Sequence, residues 1–405
     1  MSIKSDWIML QTALDFGSRL PKAIIERYGS ASAFLSAGES DWRRSGLFSL
    51  KTLKKLCEPD HKAVDKIISD CSRCGYHIIT IEDEAYPEQL LNISNPPAVI
   101  YCEGDISVLS KGLCITAVGT RKSLKSSEAV AEALSYRLSE AGATIISGGA
   151  KGIDISCTKG ALAAEAESVI VLGCGLGYPY LLEHFQLRQK VAENGAVISE
   201  FPPSFAGRKW TFPLRNRIMS ALSDAVLLVE SPLNSGANIT VEAALEQGKD
   251  VFVVPGDIVS DRFAGNTKFL QDGAYPVFSA MDILSQYTDV YGDTLDVKNA
   301  AMPIAEDARF KALMLENATP QEAPVRIIPT AKQKIETTPQ VKRQLPSYAD
   351  DNMRKVYSCF TNEEVNTDIL IEKSGLCVAD VVTAITELEI EGYITSLPGE
   401  RYILQ

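Results

Sequence analysis

Six short apolar runs dominate the middle of this 405-residue chain: Leu113 to Val118, Thr144 to Ser147, Val169 to Leu172, Ala196 to Ser199, Ala225 to Glu230 and Val251 to Val254. None alternates polar with apolar residues along its length. A strand that is apolar without interruption has both faces buried, as in a parallel sheet covered by helices on two sides. Helical periodicity fills the gaps, over Glu128 to Ala141, Ile153 to Ala164 and Ile239 to Gln247. The alternation predicts an α/β class domain, doubly wound and Rossmann-like.

In such sheets ligands bind outside the carboxyl ends of the strands. The unusual residues of this chain collect there. The first run is followed by Val118-Gly119-Thr120-Arg121-Lys122-Ser123, the second by Ser147-Gly148-Gly149-Ala150-Lys151-Gly152-Ile153-Asp154, and the third by Gly173-Cys174-Gly175-Leu176-Gly177-Tyr178-Pro179. Glycine lets peptide amides approach an anion closely at the start of a helix. Gly119, Ser147, Gly148, Gly149 and Gly152 are therefore candidate phosphate-binding positions. Glycine after a strand also serves a plain tight turn, but Arg121 and Lys122 are polar chemistry that a turn alone does not require. Tyr178 stands where the dinucleotide fingerprint needs its third glycine, and the chain has no GxxxxGK[ST] loop. No cofactor is expected.

Charge narrows the partner. Asp and Glu outnumber Lys and Arg by 52 to 40, for a net charge of -12, which argues against general adhesion to nucleic acid. Yet FAGRKWTFPLRNRIMS, from Phe205 to Ser220, carries Arg208, Lys209, Arg215 and Arg217 with no acid before Asp224. A second acid-free stretch, Ile106 to Ser127, holds Lys111, Arg121, Lys122 and Lys125. Cations interleaved with Trp210 and Phe212 suit single-stranded nucleic acid, because cations hold phosphates while an aromatic face stacks a base. The plainer alternative, aromatic core residues beneath a solvated arginine rim, is opposed by Pro202, Pro203 and Pro213, which mark the segment as a loop.

Four regions are expected: a helical domain over 1–80, the α/β domain over 81–295, a disordered linker over 296–347, and a final domain over 348–405. The linker assignment rests on Pro303, Pro320, Pro324, Pro329, Pro339 and Pro346 in a stretch with few aromatics. In the last region Val378, Val381, Val382, Ile385 and Leu388 form one apolar stripe, Gly392 stops the helix, and a hairpin turns at Pro398 and Gly399. Helices followed by a hairpin describe a winged helix. Eleven acids against four bases from Tyr348 onward point it toward protein contact rather than phosphate. The start lacks a signal peptide and no apolar run reaches a membrane span, so a cytoplasmic protein is expected. Nine cysteines scattered over the chain fit reduced thiols, and the lone Cys71/Cys74 pair sits on a helix that Gly75 ends.

Catalytic machinery is not evident. His61, His77 and His184 fall in no metal-binding spacing, no nucleophile elbow or carboxylate pair is present, and Asp154 reads as a helix N-terminal acid. No catalytic or metal site is expected, and the chain is read as a non-enzyme. The nearest enzymatic hint is the glycine turn from Asn234 to Glu242, which loosely resembles the PGGxGTxxE loop of phosphoribohydrolases related to lysine decarboxylase-like proteins. A nucleotide phosphoribohydrolase-like enzyme using Glu242 is therefore the alternative.

Taken in order, VGTRKS, SGGAKGID, GCGLGYPY, SEFPP, FPLRNRIMSALSDAVLLVE, SGANIT and VPGD resemble the DNA-processing family DprA, also called Smf. The upstream string YPEQLLNISNPPAVIYCEGD fits that family too. The resemblance implies a SAM-like or helix-hairpin-helix start, a Rossmann-like centre and a winged-helix end. It also implies a homodimer that binds single-stranded DNA, protects incoming strands and loads RecA during natural transformation. Carried over by motif, Arg121, Lys209, Phe212, Arg215 and Arg217 would line the DNA groove. Phe212 would stack a base, the amides of Ser147 to Gly149 would complete a phosphate site, and Asn216 would orient the arginines or merely make a turn.

Overall fold

All six expected strands form, and three more join them in one nine-stranded sheet. The computed structural model describes residues 2–180, 184–318, 345, 349–361, 365–376, 378–391, 393–397 and 401–404. The strands are β1 (His77–Thr80), β2 (Val99–Gly104), β3 (Cys114–Val118), β4 (Thr144–Ser147), β5 (Ser168–Leu172), β6 (Ala196–Ser199), β7 (Ala225–Leu228), β8 (Asp250–Val253) and β9 (Tyr275–Pro276). Their spatial order is β1-β2-β6-β5-β4-β3-β7-β8-β9. From β6 to β9 every pairing is parallel, whereas β2 runs antiparallel to both β6 and β1.

The chain thus winds outward from β3 through β4 and β5 to β6, then returns to lay β7 on the other side of β3. The place where strand order reverses lies between β3 and β7, where an open α/β sheet leaves a crevice. Both sheet faces are covered, as the unbroken apolar runs require. On β3, Ile115 and Ala117 enter one core cluster while Cys114 and Val118 enter the other.

Helices α1 (Ile3–Ala13), α2 (Leu20–Tyr28), α3 (Ala31–Ser45), α4 (Leu50–Cys57) and α5 (His61–Cys74) precede the sheet. Between and after the strands come α6 (Lys125–Glu140), α7 (Ile153–Ala163), α8 (Phe185–Asn194), α9 (Thr211–Leu222), α10 (Gly236–Glu246), α11 (Ala264–Gln271), α12 (Met281–Leu284), α13 (Thr288–Tyr291) and α14 (Ala308–Ala318). No helix among the described residues is long and apolar enough to cross a membrane.

The chain divides into two compact units, Met1–Gln321 and Glu322–Gln405. The boundary expected at residue 80 is not a break between them. Trp7, Ile8 and Leu10 of α1 share one apolar core with Ile79 of β1 and Val99 to Cys102 of β2. Gln11 Nε2 donates to the Glu200 carbonyl (2.9 Å), and the Tyr101 hydroxyl donates to Gln11 Oε1 (2.8 Å). Side chains on α1 therefore hydrogen-bond directly to strand residues of the sheet.

The linker expected from residue 296 is corrected as far as residue 318. Ala300 and Ile304 are buried, and Arg137 of α6 donates through Nε to Asp307 Oδ2 at 2.6 Å, with the carboxylate fully enclosed. Arg309 of α14 donates to Glu132 of α6 at 2.8 Å. Composition hid this because the partners lie about 170 residues upstream. Residues 319–344 and 346–348, with Pro320, Pro324, Pro329, Pro339 and Pro346, lie outside the described residues.

The second unit contains α15 (Asp351–Ser358), β10 (Val365–Asn366), α16 (Thr367–Ser374), α17 (Val378–Ile390), β11 (Ile394–Leu397) and β12 (Arg401–Leu404), with strand order β10-β12-β11. Val381, Ile385 and Leu388 of the expected stripe are buried against Met353, Val356 and Leu370. Gly392, Pro398, Gly399 and the side chains of Val378 and Val382 lie outside the described residues.

Candidate nucleic-acid interface

A cleft of about 670 Å³ opens at the reversal between β3 and β7. Three backbone segments and one helix build it. Val118 to Arg121 leave the end of β3, Ala150 and Asp154 come from the loop and helix after β4, Pro232 and Asn234 to Ala237 follow β7, and α9 supplies Phe212, Arg215, Asn216 and Met219. Lys209 and Arg208, both exposed, stand on the approach to α9 and also line the opening.

The segment read as a loop around Pro213 is a helix, because Pro213 sits in its first turn, where proline gives up no hydrogen bond. This decides which side chains meet. The guanidinium carbon of Arg121 lies 5.0 Å from the centroid of the half-buried Phe212 ring, and Tyr180 packs against that ring at 5.2 Å. Gly173 makes room for it: a Cβ there would stand 2.8 Å from Phe212 Cδ1.

Arg215 is buried across the floor. It donates through Nη1 to the carbonyls of Gly148 (2.8 Å) and Val171, and through Nε to Asn216 Oδ1 at 3.1 Å. Asn216 in turn donates to the Gly236 carbonyl at 3.1 Å, so it orients Arg215 and ties α9 to the loop after β7. A Cβ on Gly148 would collide with the guanidinium. Burial lowers the pKa of Arg215, and Asp154 opposes that shift.

Two expectations are corrected. Arg217 does not reach the cleft. Successive helical residues turn by about 100°, so positions two apart face nearly opposite ways. Arg217 is buried on the far side of α9, where it donates to Glu200 Oε1 at 2.7 Å, and Glu200 also accepts from the Gly17 amide. The second correction concerns the anion site. Gly119 lines the cleft, but Ser147, Gly148 and Gly149 are buried beneath it, and Gly152 caps α7 outside the lining. Ser147 Oγ donates to the Ala117 carbonyl at 3.0 Å, joining β4 to β3.

Two amides of these loops, those of Ala150 and Gly119, already have an acceptor within the protein. Asp154 is buried on the cleft floor, takes a hydrogen bond from the Ala150 amide at 3.4 Å, and is also served by the Gly119 amide. Burial pushes its carboxyl up to about 6, while Arg215, Arg121 and those amides pull it back. From the sequence alone Asp154 reads as an ordinary helix-start acid. Nothing local marks it otherwise, since Arg215 lies 61 positions away. Glu242, the residue of the enzymatic alternative, is exposed on α10 and does not line the cleft.

Comparison with known proteins agrees with this architecture. The family model described as DNA recombination-mediator protein A matches residues 77–288, and the DprA winged helix domain matches 339–400. Over 234 residues the chain is 36% identical to the DNA processing protein DprA of Bacillus subtilis, covering 58% of this chain and 79% of that protein. It is 29% identical to protein Smf of Escherichia coli, covering 88% and 85%. The X-ray structure of DprA from Streptococcus pneumoniae superposes with a TM-score of 0.54 at 30% identity, covering 58% of this chain and 81% of that one. The switch-point crevice, the helix carrying FPLRNRI and the winged-helix end therefore belong to a member of the DNA recombination-mediator protein A family, DprA or Smf.

Proposed function

We propose that this chain is a non-catalytic binding protein that holds single-stranded DNA in the cleft between β3 and β7, protects it and presents it to RecA, acting as a homodimer during DNA uptake. The observation that carries the reading is the Arg121 cation over the half-buried Phe212 ring, with Lys209 and Arg208 at the rim, in a protein of net charge -12. Positive charge is concentrated beside a partly exposed aromatic ring that lines the cleft, the pairing that single-strand binding uses. The family's recombination-mediator role supports the RecA step.

The test is a salt titration comparing oligo-dT with duplex of equal length. Single-strand affinity should exceed duplex affinity and fall linearly on a log–log plot, with a slope of about -0.7 per phosphate neutralised. Equal affinity for both, or no salt dependence, overturns the reading. For the mediator step, the protein should shorten the lag of RecA nucleation on strands covered by a single-strand-binding protein.

A further inference from the structure

Trp210 is 48% exposed, whereas Trp7 and Trp42 are at 0% and 6%. It does not line the cleft, although its neighbours Arg208 and Lys209 do, and Phe212 stands two residues further along. Its indole is mounted edge-to-face on Phe201 (6.1 Å, 74°) and Phe205 (6.2 Å, 79°). Those two rings stack on each other at 4.9 Å, and both touch Phe16, just beyond α1, at 4.9 and 5.4 Å. A lone exposed aromatic is unremarkable on a protein surface. This one is held by a three-ring base, follows two exposed cations, and lies in a stretch with no acid between Phe205 and Ser223.

We propose that Trp210 is a second base-stacking platform for single-stranded DNA, outside the cleft and on the side of the Phe16 cluster, reached by a strand that leaves the cleft past Lys209. This rests on the reading that the cleft holds single-stranded DNA. A strand whose phosphates follow Lys209 and Arg208 brings its next bases beside the indole. The aromatic base fixes the ring beforehand, so little freedom is lost on stacking. Arg208 and Lys209 then serve two subsites, with a phosphate between the base on Phe212 and the base on Trp210.

The placement supplies its own probe, because Trp210 is the one exposed tryptophan of three and a stacked nucleobase quenches indole emission. Fluorescein-labelled oligo-dT of roughly 4 and roughly 16 nucleotides, spanning the site sizes of single-strand modules, should be titrated by anisotropy, with unlabelled oligomers followed by tryptophan emission. With the longer oligomer, emission of the native protein should fall in step with the anisotropy rise. Trp210→Ala should weaken the longer oligomer roughly five- to tenfold and leave the shorter one nearly unchanged. If anisotropy rises while native emission stays constant, and Trp210→Ala binds both lengths as tightly as the native protein, the platform is overturned and the cleft reading stands. Absence of binding to any oligomer overturns both. The native emission measurement does not depend on how the variant folds.

Discussion

The Arg121 guanidinium carbon stands 5.0 Å from the Phe212 ring centroid, and the two residues reach each other from different elements, the loop after β3 and the first turn of α9. Because they touch, their contributions to binding are coupled. Phe212→Ala should cost about 1–3 kcal/mol of single-strand affinity. Arg121→Ala should reduce the salt slope by about 0.7, the loss of one phosphate contact. In a double-mutant cycle the two effects should fall short of additivity, since either change already removes the cation–ring contact. Anisotropy over a range of salt concentrations reads all three quantities. Full additivity would mean that the two side chains bind DNA independently.

Asp154 gives the cleft a pH dependence whose sign can be worked out. Its carboxyl is raised by burial to about 6, with Arg215 and Arg121 opposing the rise. At pH 7.5 it is ionised and repels an approaching phosphate. DNA bound nearby adds negative charge and raises the carboxyl further, so binding takes up a proton. Single-strand affinity should therefore increase as pH falls from 7.5 through 6 to 5.5. A further rise of half to one pKa unit on binding corresponds to about three- to tenfold in affinity. Asp154→Asn should bind more tightly at pH 7.5 and lose the dependence. An unchanged profile in that variant would assign the effect to another group.

The strands were readable because burial on both faces is written locally: β4 and β6 fall where the apolar runs Thr144 to Ser147 and Ala196 to Ser199 place them. Partners distant in the chain were not readable. The glycines after β4 suggest an anion cradle for phosphate, but the neighbouring Ala150 and Gly119 amides already serve the Asp154 carboxylate. Spacing alone could not distinguish an internal acceptor from an external phosphate. The same limit hid Arg137 and Asp307, and it grouped Arg217 with Arg215. Reading Pro213 as a loop marker removed the helical geometry that sends those two arginines to opposite sides.

Arg217 should accordingly behave as a structural residue. It and Glu200 are nearly enclosed, and removing one partner strands the other charge away from water. Arg217→Ala should destabilise the protein by about 3–5 kcal/mol in urea unfolding. At a temperature where the variant remains folded, the salt slope of single-strand binding should match that of the native protein. A slope reduced by about 0.7 would show instead that Arg217 contacts a phosphate.

The loop carrying Arg121 is held by a carboxylate enclosed within the protein. Glu230, fully buried just beyond β7, accepts from the Leu124 amide at 2.8 Å through its side chain and from the Thr120 amide at 2.8 Å through its carbonyl. Arg262 donates to Glu230 Oε1 at 3.3 Å and to the Lys122 carbonyl at 2.8 Å, which clamps the loop from outside. Although the Arg262 side chain is 47% exposed, Glu230 is fully buried, so Arg262→Ala should lower global stability, by less than loss of the enclosed Arg217, and leave the variant folded. It should still release residues 120–124, seen as faster amide exchange there, and weaken single-strand binding by about 0.5–1.5 kcal/mol, the worth of one positioning hydrogen bond. Arg262→Lys should recover only part of the loss, because both bonds come from Nη1, which stands one bond further from the backbone than a lysine Nζ. If loop exchange and affinity are both unchanged in Arg262→Ala, Glu230 alone fixes the Arg121 loop and the outer clamp is dispensable.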